Sequence, residues 1–131
     1  LSVINGATLQ VGNTPAANDL LVASNMIISG AGSTVTVNGF TGIGIFGLGT
    51  LSISSGGVLN SQGGAEIDSF LGAPTATVTG PGSTWNIGGS GFSVGGGSTG
   101  GPGALSCRTR PGCCSGTPPP RRSAARWGPR R

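Results

Sequence analysis

A fifty-residue internal repeat constrains this chain more than any other feature. Leu1-Ser-Val-Ile-Asn-Gly-Ala-Thr-Leu aligns with Leu51-Ser-Ile-Ser-Ser-Gly-Gly-Val-Leu. At the same offset, Gly30-Ala-Gly-Ser-Thr-Val-Thr-Val-Asn-Gly aligns with Gly80-Pro-Gly-Ser-Thr-Trp-Asn-Ile-Gly-Gly. About a dozen of the fifty aligned pairs are identical, gathered at glycine and apolar positions. A chain that repeats itself in register builds one unit and stacks it. A third copy opens at Ala104-Leu105-Ser106 and then breaks off.

Inside each unit the apolar residues alternate. Leu51 and Ile53 alternate with Ser52 and Ser54, Val35 and Val37 with Thr34 and Thr36, and Trp85 and Ile87 repeat the pattern one unit on. Period two predicts strands with one buried face, near 1–4, 8–11, 19–23, 26–29, 33–38, 42–46, 50–54, 57–60, 66–70, 76–79, 83–87 and 91–94. Asn-Gly, Ser-Gly, Gly-Gly and Pro-Gly pairs between them supply the positive φ of tight corners. Corners stacked about 4.8 Å apart would repel if they carried like charges, and these carry none. The expected fold is therefore all-β: a right-handed parallel β-helix over residues 1–105, in units 1–50 and 51–104. With about 20–27 residues per rung, each unit holds about two rungs.

Charge divides the chain in two. Residues 1–106 hold no Arg, Lys or Cys, and Asp19, Glu66 and Asp68 are their only charged side chains. All seven Arg and all three Cys lie from Cys107 onward, and no Val, Ile, Leu, Met or Phe follows Leu105. There is no His, Lys or Tyr anywhere, which removes the commonest general base, the commonest metal ligand and the Schiff-base amine. No enzyme activity is expected, and no catalytic, cofactor-binding or metal-binding residue is assigned.

Candidate motifs read as structure. Gly42 to Gly47 and Gly95 to Gly100 both spell G-x-G-x-x-G, but neither opens a helix, so they are expected to be corners. Asp19 and Asp68 nearly coincide in the repeat and so could share a face, yet no basic partner stands beside them. Gly63-Gly-Ala-Glu-Ile-Asp68 resembles a calcium-binding nonapeptide without its tandem copy. All three acids are expected on solvated loops. Thr34, Thr36, Thr75, Thr77 and Thr79 are expected to point outward, and Trp85 and Phe92 to fill the core rather than to stack on sugars. Cys107, Cys113 and Cys114 are an odd set that cannot close into disulfides, and they lack a fourth zinc ligand.

Leu51-Ser-Ile-Ser-Ser-Gly-Gly-Val-Leu, then Val78-Thr-Gly-Pro-Gly-Ser-Thr-Trp-Asn, then Phe92-Ser-Val-Gly, resembles the repeat of bacterial autotransporter (type V secretion) passenger domains. The repeat of some PEP-CTERM-associated exported proteins is similar. The first unit departs from it, with Val35 where Trp85 stands and Leu20-Leu-Val-Ala in place of a glycine-rich turn. The resemblance implies an extracellular stalk at the bacterial surface, anchored through a β-barrel translocator outside this sequence, or secreted. It implies adhesion to glycans or proteins of host or neighbouring cells, and no catalytic residues. A β-helix polysaccharide lyase or hydrolase is the rival from another class. No signal peptide is visible at Leu1, so an export address is expected upstream.

The tail is the remaining anomaly. Residues 106–131 offer no aliphatic side chain, insert Pro118-Pro-Pro120 and cluster arginine at Arg121, Arg122, Arg126, Arg130 and Arg131. They are expected to be disordered, to leave the solenoid unextended and to be dispensable for its folding. Trp127 among the arginines suggests nucleic-acid stacking, but the composition fits better a GC-rich gene read out of frame, and nucleic acid is not an expected partner. The gene provides the check: a one-base shift near the Leu105 codon should restore a further L-x-I-x-x-G-G unit, and if neither alternative frame does so, the tail is native sequence.

Overall fold

The computed structural model describes residues 1–12, 19–89, 91–96 and 100–108, with the backbone of 114–116. Among these residues the chain is all strand and turn, and it winds as a parallel β-solenoid. Each full rung contributes three strands. The first holds β1 (Ser2–Ile4), β2 (Thr8–Val11) and β3 (Leu20–Val22), and the second β4 (Asn25–Ser29), β5 (Thr34–Val37) and β6 (Thr41–Ile43). The third holds β7 (Thr50–Ser54), β8 (Val58–Ser61) and β9 (Ala65–Ile67), and the fourth β10 (Thr75–Thr79), β11 (Thr84–Ile87) and β12 (Phe92–Val94). A fifth is begun by β13 (Ala104–Arg108) and β14 (Cys114–Gly116).

Stacking yields three parallel sheets, ordered β1-β4-β7-β10-β13, β2-β5-β8-β11-β14 and β3-β6-β9-β12. In the first sheet Ser2 pairs with Ile27, Ile27 with Ser52 and Ser52 with Thr77, a step of 25 residues each time. The fifty-residue repeat is thus two rungs, as its length suggested.

The period-two pattern fills the inside with columns. Val3, Ile28, Ile53 and Val78 stack in one, Met26, Leu51 and Ala76 in the next, and Leu9, Val35, Leu59 and Trp85 in a third. Ile28, Ile53, Val78, Val35, Leu59 and Trp85 are wholly buried. Burying such a side chain stabilises by about 1.5–3 kcal/mol, so the narrow column holds the three sheets together.

One corner explains why the repeat is fifty residues and not twenty-five. Between the first and second sheets the odd rungs turn through Asn5-Gly6 and Ser55-Gly56, all four at positive φ, with Ala7 N donating to Ile4 O and Gly57 N to Ser54 O. That is a two-residue type I′ turn. The even rungs turn through Gly30-Ala31-Gly32-Ser33 and Gly80-Pro81-Gly82-Ser83, closed by Ser33 N to Gly30 O and Ser83 N to Gly80 O. Here Ala31 or Pro81 precedes a glycine at positive φ, the type II arrangement. The even corner is one residue longer, and the register of the second sheet alternates accordingly: Thr8 to Thr34, Thr34 to Val58, Val58 to Thr84. The two corners also complement each other chemically. Gly6 N donates to Ser33 Oγ (3.0 Å) and Gly56 N to Ser83 Oγ (3.1 Å), so the extra serine accepts an N–H from the rung beneath.

Two expectations need correcting. Strands foreseen at 42–46 and 66–70 end at Ile43 and Ile67, because the chain leaves the third sheet there into wide corners at Gly44–Gly49 and Asp68–Pro74. Strand pairing also continues past Leu105, where the tail was expected to leave the solenoid unextended. Ser106, Cys107 and Arg108 pair with Thr77, Val78 and Thr79, and Cys114–Gly116 pair with Trp85–Ile87. Backbone hydrogen bonding extends the ladder there without aliphatic side chains, so truncation after Leu105 removes paired strand. The expected disorder of the rest of the tail concerns positions outside the described residues.

Removing either corner hydroxyl tests the alternation. Ser33→Ala and Ser83→Ala should each cost about 0.5–1.5 kcal/mol in denaturant unfolding. Two rungs, about 10 Å, separate them, so the double variant should lose roughly the sum.

Candidate functional site

The three acids do not form a site together. Asp19 precedes β3 in the first rung, is exposed, and its Oδ1 accepts from Phe40 N at 2.9 Å. Asp68 follows β9 two rungs later, at the opposite end of the third sheet's strands, so the shared face expected from the repeat does not arise. The expectation of solvated loop acids holds for Asp19 and fails for the other two. Glu66 lies within β9 at 7% exposure, in register between Gly42 and Ser93, and Asp68 is wholly buried. Asp68 acts as a tether: its Oδ2 accepts from Gly100 N at 3.1 Å, tying the glycine-rich corner of the fourth rung to the third. Among the described residues no group of three His, Cys, Asp or Glu could hold a metal ion.

Both G-x-G-x-x-G matches fall at corners between the third and first sheets. Gly42 lies in β6, and the segment after Gly47 runs into β7 rather than a helix. The glycines serve close approach: a Cβ on Gly49 would sit 2.0 Å from Val22 O, and one on Gly101, just beyond the second match, 1.7 Å from Ser69 O. Gly97, Ser98 and Thr99 lie outside the described residues. A phosphate loop presents its N–H groups to a ligand, whereas Gly44 N and Gly47 N are bonded to Val22 O and Gly44 O.

Trp85 belongs to the interior, as its alternation predicts. Its ring meets Phe92 edge to face, with centroids 5.6 Å apart. A buried indole N–H needs an acceptor. Nε1 donates to Ser61 Oγ at 2.8 Å, and Ser61 Oγ donates to Thr41 Oγ1 at 2.8 Å. Ser61 and Thr41 are both inside the apolar columns, at 1% and 0% exposure. Ser61 receives the tryptophan of the next rung, and Thr41, one rung below Ser61, receives the serine. The sequence shows Ser61 where the alternation asks for an apolar residue, and that break was the available signal.

Outside, each sheet presents a different chemistry. The first carries hydroxyl columns over two successive rungs: Thr50, Ser52 and Ser54 lie beneath Thr75, Thr77 and Thr79. In the rung below, Ser29 continues the column under Ser54, while Asn25 and Ile27 break the other two. The second carries an amide and hydroxyl ladder, with Asn86 Nδ2 donating to Asn60 Oδ1 (2.8 Å) and Asn60 Nδ2 to Thr36 Oγ1 (3.4 Å). A groove of about 490 Å³ opens on this sheet between the ends of β8 and β11, lined by Asn60, Ser61, Gln62, Asn86, Ile87 and Gly88. At the wide corners Phe46, Leu48, Phe70 and Leu71 are 60–74% exposed, a lateral apolar ridge that sequence reasoning passed over because two of them sat inside assumed strands.

The tail contributes a further correction. Cys107 is disulfide-bonded, although three cysteines leave one over; the side chains of Cys113 and Cys114 lie outside the described residues, as do Arg121–Arg131. Arg108 is exposed at the end of β13. Comparison with known proteins adds no relationship: no family model, no curated protein and no solved structure matches the chain.

The buried polar chain is testable by a double-mutant cycle. Trp85→Phe should destabilise by about 1–3 kcal/mol through lost volume and a lost hydrogen bond. Combined with Ser61→Ala it should cost less than the sum of the two single changes, measured by chemical unfolding.

Proposed function

We propose that this chain is a stalk segment of an exported, autotransporter-type bacterial surface protein, extending and presenting its outer faces for adhesion. The observation that carries the reading is the parallel ladder, in which four successive rungs repeat one three-strand architecture and the first sheet steps by 25 residues between them. Such a structure lengthens by addition without redesign of its core. Its outer faces present hydroxyls, amides and one apolar ridge, groups suited to contact rather than to proton transfer. The disulfide at Cys107 favours an oxidising compartment, where such bonds persist.

The experiment is display. Fused ahead of an autotransporter translocator barrel in a laboratory bacterium, the chain should reach the surface, where antibody binds it on intact cells. Those cells should gain attachment to glycan-coated or cell-coated surfaces over cells displaying the barrel alone. Retention inside the cell, or display without any gain in attachment, would refute the reading.

A further inference from the structure

The groove at the end of the second sheet differs from every other stretch of that surface. In the first two rungs the amides at the strand ends bond one another and the backbone: Gln10 Nε2 donates to Asn38 Oδ1 (3.1 Å) and to Gly12 O (2.9 Å), and Asn38 Nδ2 donates to Gly12 O (3.0 Å). Gln62 follows Asn38 in this column, since Gln62 N bonds Val37 O just as Gly88 N bonds Ser61 O above it. The next member is Gly88, which has no side chain. The stack of amides stops there, and the space left open is the groove. Gln62 is exposed, and its side-chain amide makes no hydrogen bond within the described residues.

We propose that this groove binds a neutral oligosaccharide. Sugar hydroxyls need a donor and an acceptor together, and the Gln62 amide supplies both. Beside it the Asn60 amide is held between Thr36 and Asn86, so its orientation is fixed before any ligand arrives. Of the lining residues, Asn60, Gln62 and Asn86 face outward, whereas Ser61 and Ile87 are buried on the core side of the sheet. The charge pattern selects against acidic ligands. The described residues through Ser106 hold no Arg or Lys, and Arg108 lies on the first sheet. The biological role rests on the adhesive reading above, while the binding itself can be measured on the isolated chain.

The full chain, isotopically labelled, would be titrated by NMR with cellotetraose, N-acetylchitotetraose and mannotetraose, and with tetragalacturonate as the acidic counterpart. At least one neutral tetrasaccharide should produce saturable shifts centred on the Asn60, Gln62 and Asn86 side-chain amides and the Gly88 backbone, with Kd of about 1–10 mM. Gln62→Ala should weaken this roughly 3- to 10-fold, and Thr77→Val, on the first sheet, should leave it unchanged. No saturable shift with any neutral probe, shifts centred elsewhere, tighter binding of tetragalacturonate, or indifference to Gln62→Ala each overturns the proposal. Binding that persists when surface display fails would refute the stalk reading alone.

Discussion

Backbone pairing between successive rungs is the constraint from which the other features follow. An inner strand in this solenoid bonds the equivalent strand of the rung before it and of the rung after it, 21–29 residues away along the chain, so every corner must return the chain at the right height. That requirement removes side chains where backbones cross closely, as at Gly49 over Val22, and removes charge where corners stack. Glycine content and near-neutrality of the body are thus two results of one geometric demand.

The polar groups that remain inside are occupied with holding rungs together. Thr41 and Ser61 stand in apolar columns to receive Trp85, and the Asp68 carboxylate receives Gly100 N from the corner above. Buried polar groups gain from low dielectric only when bonded, and each of these contacts joins one rung to another rather than closing within a rung. The solenoid is consequently tied along its axis by side chains as well as by backbone. Outer polar groups follow the same habit: Ser54 bonds Ser29, Thr50 bonds Asn25, and Asn86 bonds Asn60.

The strand pattern, the two-rung repeat unit and the inward columns were legible because they depend on alternation and repeat length, which Leu51, Ile53, Val78 and Ile87 display without ambiguity. Burial of Glu66 and Asp68 was not legible. An acid next to glycines looks solvated in sequence, and what encloses Glu66 is set by residues distant in the chain, with Ile45 and Leu21 occupying the space beside Gly42. The continuation through Arg108 was hidden for a different reason. Strand pairing at a sheet's growing edge is carried by peptide groups, which composition does not reveal, so loss of aliphatics was read as loss of structure. The groove was equally invisible, since it is made by a missing side chain at Gly88, and a single glycine among twenty-eight carries no signal by itself.

The alternating corners have a consequence for how such a gene changes length. A type I′ corner finds its serine acceptor only on a type II neighbour, as Gly6 does on Ser33 and Gly56 on Ser83. Losing or gaining one 25-residue rung would set like against like and shift the second sheet's register by a residue at that junction. A change of two rungs would keep both the serine contacts and the register, so the solenoid has a parity: the length increment that leaves every corner matched is the pair.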